Sequence, residues 1–276
     1  MNKIPCSVGI LTLNSGATLR RCLDSLKAFA EIVICDGNST DSTLEIAREY
    51  GAKIVKQYDS DEPNLRCVKD KANVRQKNMD AASYDWYFFM DSDDALSAEV
   101  VEEIKKIAAN PRPEFFVYRM PTRIFIDSKE IKHEASYPSY QIRLINRKIN
   151  PYFKGKVHER LKFDRARYKV GELQSYYDFH WSRERAENYW QYLKMYASWE
   201  TELLEYGPLG PFLYWCVWRR LRIIAGYLYR IPKMYLLYGF EDSMPARIQF
   251  LTLWYHFYLL YLFIKTRVAH VRSKRL

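Results

Sequence analysis

The sequence predicts an α/β fold in which a mainly parallel β-sheet is covered by helices. Short apolar runs typical of buried strands alternate with helical patterns through the first part of the chain. Each run ends in a turn rich in Asn, Asp, Ser or Gly, and apolar residues at helical spacing then follow. In such sheets, ligands bind at the carboxyl ends of the strands. We therefore expect functional side chains directly after the predicted strands.

The strands and helices of this regular half can be placed in order. The predicted strands are residues 7 to 13 (SVGILTL), 31 to 36 (EIVICD), 52 to 57 (AKIVKQ) and 85 to 91 (DWYFFMD). The predicted helices are residues 19 to 26, 42 to 50, 75 to 82 and 98 to 109. The second of these helices begins with a capping box at residues 42 to 45 and ends at Gly51.

The second half is less regular and has a more α+β character. Further strands are predicted at residues 115 to 120 (FFVYRM), 123 to 126 (RIFI) and 140 to 146 (YQIRLIN). Residues 182 to 206 predict one long amphipathic helix, which a Gly-Pro cluster ends at residues 207 to 211. We therefore expect a domain over residues 1–206 and a separate helical region over residues 207–276.

Composition and charge narrow the class of protein. A chain of 276 residues with 48% apolar and 16% aromatic residues is typical of one folded domain plus an appendage, and not of a disordered protein. The net charge of +10 comes mainly from residues 207–276, which hold eleven Lys or Arg against two acidic residues. Five cysteines without a CxxC pair favour a reducing cytoplasm, and the N-terminus lacks the features of a signal peptide.

Asp91, Asp93 and Asp94, which we call the acidic cluster, directly follow an apolar strand. Two carboxylates about 4 Å apart repel by roughly 4 kcal/mol at an effective dielectric near 20, so the cluster needs a cation or a shell of hydrogen bonds. Ala95 and Leu96 stand where an EF-hand needs other residues, which excludes that motif. An aspartyl phosphatase, a solvated helix N-terminus and a divalent metal site remain open, and the metal site explains the charge most directly.

Several motifs together resemble one enzyme family. The stretches SVGILTLN, CDGNSTDST, RQKNM and MDSDDAL, in that order over about residues 5 to 100, resemble family 2 glycosyltransferases, which are inverting enzymes of the GT-A fold. YQIRL, GKVHERL and DFHWS are similar to the subgroup of lipopolysaccharide-core and related cell-envelope sugar transferases. The resemblance implies a Rossmann-like, nucleotide-diphospho-sugar transferase domain, followed here by a C-terminal helical, membrane-associating extension.

The resemblance also implies a metal site that uses Mg²⁺ or Mn²⁺. Asp93 would ligate the ion directly, and Asp91 would contact the donor ribose or hold a metal-bound water. His180 in DFHWS would be a further metal ligand, although a histidine beside Trp181 is also typical of packing. Asp94 is expected to cap the next helix.

Other positions correspond to donor contacts in the family. Asp36 would accept a hydrogen bond from a uracil-like base, or it is an ordinary turn aspartate. Thr12 and Asn14 would border the same pocket, and Asn14 is equally suited to cap a helix. Lys77 would approach the diphosphate where relatives have Arg, or it is an exposed helical lysine. Asp41 is expected to be structural.

Inverting transfer requires a general base for the acceptor hydroxyl. Glu159 in GKVHERL matches the acidic position of the subgroup motif, so the resemblance assigns it this role. The alternative is a surface glutamate paired with Arg160 or Lys162. His158 beside it is a weaker candidate for orienting the acceptor.

The C-terminal region combines basic and aromatic residues in a pattern typical of a membrane interface. Residues 212 to 240 mix Trp, Tyr and Leu with Arg and Lys, and residues 248 to 264 form an apolar run at the low edge of spanning length. We expect helices lying on an anionic membrane surface, with a single span or a soluble helical cap as alternatives. The charge is interleaved with apolar residues, which argues against nucleic acid as the partner.

These features lead to one functional hypothesis and one alternative. The hypothesis is a metal-dependent inverting glycosyltransferase on the cytoplasmic face of the membrane, which transfers a hexose-type sugar from a nucleotide donor, with a preference for UDP, to an envelope glycan or glycolipid. The alternative is a non-catalytic nucleotide-sugar-binding or membrane-scaffolding protein with the same fold.

Overall fold

The computed structural model describes residues 3–65, 70–136, 139–155, 159–181, 183–202, 204 and 207–273. The chain divides by packing into two compact units. Unit 1 is Met1–Arg123 with Ser139–His180, and unit 2 is Ile124–Pro138 with Trp181–Leu276.

The bounds of the helices and strands are as follows. The strands are β1 (Ile4–Thr12), β2 (Phe29–Asp36), β3 (Lys53–Lys56), β4 (Trp86–Asp91), β5 (Val117–Ile126), β6 (Lys129–Ile131), β7 (Tyr140–Asn146), β8 (Tyr152–Lys154), β9 (Arg160–Lys162), β10 (Val170–Glu172) and β11 (Tyr177–Trp181). The helices are α1 (Gly16–Asp24), α2 (Thr43–Glu49), α3 (Lys71–Asp80), α4 (Ala98–Ala109), α5 (Arg183–Glu187), α6 (Tyr189–Glu202), α7 (Leu209–Phe212), α8 (Arg219–Tyr238) and α9 (Ala246–Ser273). A 3₁₀ turn lies at Arg147–Ile149 and a π-helical turn at Leu213–Trp218.

Unit 1 is built on a mixed sheet with the strand order β10-β5-β7-β4-β1-β2-β3. Strand β1 pairs in parallel with β2 and β4, and β2 pairs in parallel with β3. Strand β7 runs antiparallel to both of its neighbours, β4 and β5. The predicted α/β fold, a Rossmann-like GT-A sheet followed by C-terminal helices, is therefore confirmed, and the irregular second half corresponds to the antiparallel strands.

Strand β4 lies in the centre of this sheet, and its sequence is one continuous apolar run. Successive side chains point to opposite faces of a strand, and both faces of β4 are covered. Trp86, Phe88 and Met90 pack into one buried cluster, while Tyr87 and Phe89 pack into another. A strand buried on both faces loses the alternation of polar and apolar residues.

Two predicted elements differ from the observed ones in unit 1. Residues 115 to 120 and 123 to 126 were expected as separate strands, but β5 runs through Pro121, which pairs with Tyr140. The predicted capping box of α2 is also wrong, because the side chain of Ser42 makes no cap hydrogen bond. Asp41 takes its place and accepts from the backbone N–H of Thr43 at 2.9 Å.

Unit 2 is largely helical, and its first helices show a further difference from prediction. The expected single helix over residues 182 to 206 is divided into α5 and α6, which end and begin on either side of Asn188. Leu193 and Ala197 of α6 pack with Tyr255 and Leu259 of α9. This packing lies within unit 2, which begins again at Trp181. The domain boundary at residue 206 stays a prediction.

Many apolar side chains of unit 2 are exposed on α7, α8, α9 and the π-helical turn. They include Leu209, Tyr214, Trp215, Trp218, Tyr229, Leu236, Leu237, Tyr238, Phe250, Trp254 and Tyr261. The alternative of a single membrane span at residues 248 to 264 requires a helix that is long and apolar enough to cross a bilayer. Across the helices that the structure describes, none combines the length and the apolar character needed to cross a bilayer.

Candidate active site

The polar residues at the ends of the central strands are neighbours in the sheet. Thr12 at the end of β1 pairs with Asp36 at the end of β2, and Leu11 pairs with Asp91 at the end of β4. The carboxyl ends of parallel strands meet at one edge of a sheet. The structure therefore brings Thr12, Asp36 and Asp91 to the edge where the sequence predicts the site.

Asp91 is held by two arginines that no sequence motif assigned to the site. Nη2 of Arg75 in α3 donates to Asp91 Oδ1 at 2.7 Å, and Nη2 of Arg143 in β7 lies 3.8 Å from Oδ2. Burial disfavours the charged carboxylate, but the two guanidinium groups outweigh it and hold the pKa of Asp91 well below its usual range. Asp91 is therefore ionised, and its charge is compensated within the protein.

Asp94 is compensated in a different way. The hydroxyl of Tyr177 in β11 donates to Asp94 Oδ2 at 2.5 Å, and both side chains are buried. Burial and the negative charges of Asp91 and Asp93 raise the pKa of Asp94 to about 7. The sequence predicts Asp94 as the cap of the next helix, but the N-cap residue of α4 is Ser97. Arginines and a tyrosine hydroxyl thus relieve much of the repulsion within the acidic cluster.

Asp93 and His180 are the predicted metal ligands whose chemistry suits a divalent ion. Partial burial and the charge of Arg21 lower the pKa of His180 against the opposing effect of Asp178 and Asp93, so its imidazole is neutral and able to ligate. A carboxylate is a hard oxygen ligand of the kind that Mg²⁺ prefers. Within the described residues, no group of three or more His, Cys, Asp or Glu side chains is arranged to hold a metal ion. The metal site at Asp93, Asp91 and His180 therefore stays a prediction.

Asp36 is buried and joins β1 to the loop that follows β2. Its Oδ1 accepts from Thr12 Oγ1 at 2.7 Å and from Ser39 Oγ at 2.6 Å, and its Oδ2 accepts from Ser39 N at 2.8 Å. A carboxylate has about four acceptor positions, so these bonds leave about one for a ligand. The geometry is that of a turn aspartate, and the contact with a base stays a prediction.

Asn14 organises the same loop from the end of β1. Its backbone has φ 49°, in the left-handed region that Asn tolerates better than most residues. Its Oδ1 accepts from Thr40 N at 2.9 Å, and its Nδ2 donates to Asn64 Oδ1 at 2.8 Å. The N-cap position of α1 belongs to Ser15, so Asn14 is not a helix cap. Asp41 is structural, as predicted, and accepts from Gly16 N at 2.9 Å.

Helix α3 presents a different cation to the site from the one that the sequence predicts. Lys77 is exposed, whereas Arg75, two residues earlier, is buried and contacts Asp91. Residues two apart on a helix point in different directions, while residues four apart share a face. Lys71 and Arg75 therefore lie together, a pairing hidden in the sequence because the predicted helix begins at residue 75 and the observed one begins at Lys71.

Glu159 lies in the same cavity as Asp91, about 790 Å³ in volume. Arg75 Nε and Lys71 Nζ are each 3.4 Å from Glu159 Oε1. Arg75 is therefore shared between Asp91 and Glu159, and the predicted alternative of a pair with Arg160 or Lys162 is not among the ion pairs of the described residues. His158 lies outside the described residues.

The family of the chain follows from comparison with known proteins. The model of glycosyl transferase family 2 matches residues 7–169, more than half of the chain. The lipopolysaccharide core biosynthesis glycosyltransferase LpsC of Rhizobium meliloti is 31% identical over 161 residues, which are 57% of this chain and 57% of LpsC. The SPbeta prophage-derived glycosyltransferase SunS of Bacillus subtilis is 30% identical over 152 residues, which are 55% of this chain and 33% of SunS. The match thus covers little more than half of LpsC and about a third of SunS.

Solved structures are also similar to the chain, at low sequence identity. TarS of S. aureus (residues 1-349) is 13% identical with a TM-score of 0.45, and the match covers 97% of this chain and 91% of that chain. Glucosyl-3-phosphoglycerate synthase from Mycobacterium tuberculosis, in complex with Mn²⁺ and UDP-glucose, is 15% identical with a TM-score of 0.40, over 63% of this chain and 69% of that chain. The family model, which matches more than half of the sequence, identifies this chain as a member of glycosyl transferase family 2.

Proposed function

We propose that the protein is an inverting, metal-assisted transferase that moves a hexose-type sugar from a UDP-linked donor to a cell-envelope glycan or glycolipid. One observation carries the proposal: Asp91 and Glu159, distant in sequence and assigned to donor and base, meet in one cavity through Arg75. The name of LpsC, which acts in lipopolysaccharide core biosynthesis, supports an envelope acceptor.

Glu159 is the general base of the proposed reaction. Its carboxylate takes the proton of the acceptor hydroxyl as that oxygen attacks the anomeric carbon from the face opposite the leaving diphosphate. The contacts from Arg75 and Lys71 both use Oε1, so Oε2 is the oxygen proposed to meet the acceptor. Side chains of this kind contribute about 10² to 10⁴ in rate.

The leaving diphosphate develops negative charge, and the site has cations to meet it. Lys71 and Arg75 line the cavity from one face of α3, and Arg143 lines it from β7. A divalent ion, when bound, supplies further charge stabilisation at the leaving oxygens. Asp93 and His180 are the residues that would hold it, and Asp91 orients Arg75 and Arg143 toward the same space. Lys77, being exposed, has the weaker claim to the phosphates.

The donor base is proposed to lie against the loop that Asp36 and Asn14 hold. Thr12 Oγ1 donates to Asp36 Oδ1 at 2.7 Å, which joins the ends of β1 and β2 at this surface. The remaining acceptor position on Asp36 suits the N3–H of a uracil-like base.

The helices of unit 2 are proposed to lie on the cytoplasmic face of an anionic membrane. Exposed rings are paired with cations there: Arg219 lies 5.5 Å from the ring of Trp215, and Lys265 lies 5.8 Å from that of Tyr261. Aromatic rings with nearby cations are typical of the lipid headgroup region.

Donor turnover with Mn²⁺ tests the catalytic proposal. Mass spectrometry would follow the release of UDP from a set of UDP-sugars by the wild type, Asp93→Asn and Glu159→Gln. We expect turnover by the wild type that chelation removes and that Asp93→Asn lowers. A scaffold that only binds nucleotide sugars would show no metal-dependent turnover in any of the three proteins.

A further inference from the structure

The cavity that contains Asp91 and Glu159 is strongly basic. Its lining includes two acidic residues and a larger set of cations, namely Lys71, Arg75, Arg143, Arg160, Lys162 and Arg165. These cations come from separate parts of unit 1: α3, β7, β9 and the turn after β9. The cavity therefore gathers positive charge from elements that are far apart in the sequence.

Some of these cations are already used by the protein. Arg75 and Arg143 face Asp91, and Lys71 lies beside Glu159. A donor diphosphate with a divalent ion adds almost no net charge, because the two charges are opposite and similar in size. Donor binding therefore leaves the remaining cations without a counter-charge.

The remaining cations lie on and beside β9, immediately after the proposed base. Arg160 and Lys162 are two residues apart in the strand, so they project from the same face, and both are exposed. Within the part of the chain that the structure describes, neither residue makes an ion pair. Arg165 stacks on Phe163, with its Cζ 5.3 Å from the ring centroid. Cations that form no ion pair within the described residues suit an external anion.

The buried side of the cavity is also basic. Arg143 is 4% exposed, and its guanidinium lies 4.4 Å from the ring centroid of Tyr177. Its Nη2 donates to Gln141 Oε1 at 2.7 Å. Its Nε is enclosed and has no hydrogen-bond partner among the described residues. The buried guanidinium of Arg143 adds positive charge to the wall of the cavity.

We propose that this cavity binds the sugar acceptor through an anionic substituent, a phosphate or a carboxylate, which Arg160, Lys162 and Arg165 contact. The assignment rests on the proposed function, because it takes Glu159 as the base that meets the acceptor. It adds the class of acceptor: an acidic or phosphorylated sugar instead of a neutral one. The position of the cations directly after Glu159 places the anionic group near the reacting hydroxyl.

Binding of simple sugars to the full chain tests this assignment. Calorimetry would compare methyl glucoside, glucose 6-phosphate and methyl glucuronoside, each with and without UDP and Mn²⁺. The variants are Arg160→Gln/Lys162→Gln and, as a control, Lys106→Gln, which removes an exposed charge of α4 outside the cavity. We expect an anionic sugar to bind at least about tenfold more tightly than methyl glucoside, and the double variant to lose most of this preference. Lys106→Gln should retain it.

The two anionic sugars separate phosphate from carboxylate as the preferred group. Equal binding of all three sugars by the wild type would overturn the inference, as would an anionic preference that survives in the double variant. Binding that UDP and Mn²⁺ abolish would also overturn it, because the anion would then occupy the diphosphate region. Donor turnover by the same wild-type sample is measured in parallel. If turnover is present without anionic preference, this inference fails alone, whereas absence of turnover contradicts the proposed function.

Discussion

Arg75 and Asp91 form an ion pair at the carboxyl end of β4, with Nη2 and Oδ1 2.7 Å apart. The arginine is 3% exposed, and its Nε also reaches Glu159. Burial opposes the charge of Arg75, but Asp91 and Glu159 outweigh this effect and raise its pKa. Arg75 and Asp91 therefore stabilise each other's charge, and Arg75 connects this pair to Glu159.

Loss of the Arg75 side chain should destabilise unit 1. Arg75→Met leaves Asp91 without its nearest cation. Breaking a fully buried ion pair costs about 3 kcal/mol or more, and the partial exposure of Asp91 reduces the expected loss to about 1 to 3 kcal/mol. Urea unfolding, followed by circular dichroism, measures the change. Arg20→Gln is the matched control, because its pair with Glu49 is exposed and should contribute little. A small effect of Arg75→Met, equal to that of the control, would show that the ion pair is not important for the fold.

The hydroxyl of Tyr177 should stabilise the protein through Asp94. Tyr177→Phe removes the donor to a buried carboxyl group, and an unsatisfied buried polar group costs about 1 to 3 kcal/mol. Tyr152→Phe, at an exposed ring of the same unit, is the control and should change stability little. Thermal unfolding at one fixed pH compares them. Equal melting temperatures for the two variants would contradict the role of this bond.

His256 should make unit 2 less stable in acid. Burial and the neighbouring Arg220 lower the pKa of His256 to about 4, and Arg220 Nη1 lies 3.1 Å from its Nδ1. An unfolded histidine titrates near pH 6.5, so between about pH 6.5 and 4 the unfolded chain binds a proton that the folded chain does not. Stability is therefore lost as the pH falls through this window, by about 2 kcal/mol after allowance for partial exposure.

Unfolding of the wild type and His256→Asn at pH 7 and pH 4.5 measures this dependence. The asparagine retains an acceptor for Arg220 but does not titrate, so its stability should fall less between the two pH values. Parallel losses in both proteins would assign the acid sensitivity to other groups.

The exposed rings of the π-helical turn should contribute to membrane binding. Trp215→Ser/Trp218→Ser removes two large side chains that are more than half exposed. Co-sedimentation with vesicles that contain phosphatidylglycerol should fall about tenfold or more, and pure phosphatidylcholine should bind less of the wild type. Tyr152→Ser removes an exposed ring from unit 1 as the control. Unchanged sedimentation of the double variant would contradict the proposed location.

The order of strands and helices in unit 1 follows from the sequence because the signals are local. Apolar runs and turn residues mark β1, β2 and β4 without knowledge of their partners. Longer-range effects decide the differences. Pro121 lies within β5 because the strand pairs with β7 up to Pro121 and with β6 from Ile124 onward. Asp41 holds the start of α2 instead of Ser42 because it also binds the backbone of Gly16 in α1.

The site was predictable where a motif names a residue and not where tertiary contact selects it. Asp91 and Glu159 belong to motifs and share one cavity. Arg75 and Arg143 stand in the quoted stretches RQKNM and YQIRL, yet their role depends on the start of α3 and on the antiparallel pairing of β7 with β4. Their partner Asp91 lies at the end of β4, a different element from either arginine, so spacing along the chain does not reveal the contact.

The most direct measurement compares sugar transfer by the wild type and Glu159→Gln. Labelled UDP-glucose, detergent-solubilised bacterial envelope glycolipids and Mn²⁺ are the probes, and Glu172→Gln, which alters an exposed glutamate outside the cavity, is the control. Glu159→Gln should lower kcat about 10²-fold or more while the affinity for UDP stays the same. Transfer by Glu159→Gln at the rate of the wild type and of Glu172→Gln would contradict the assignment of Glu159 as the base.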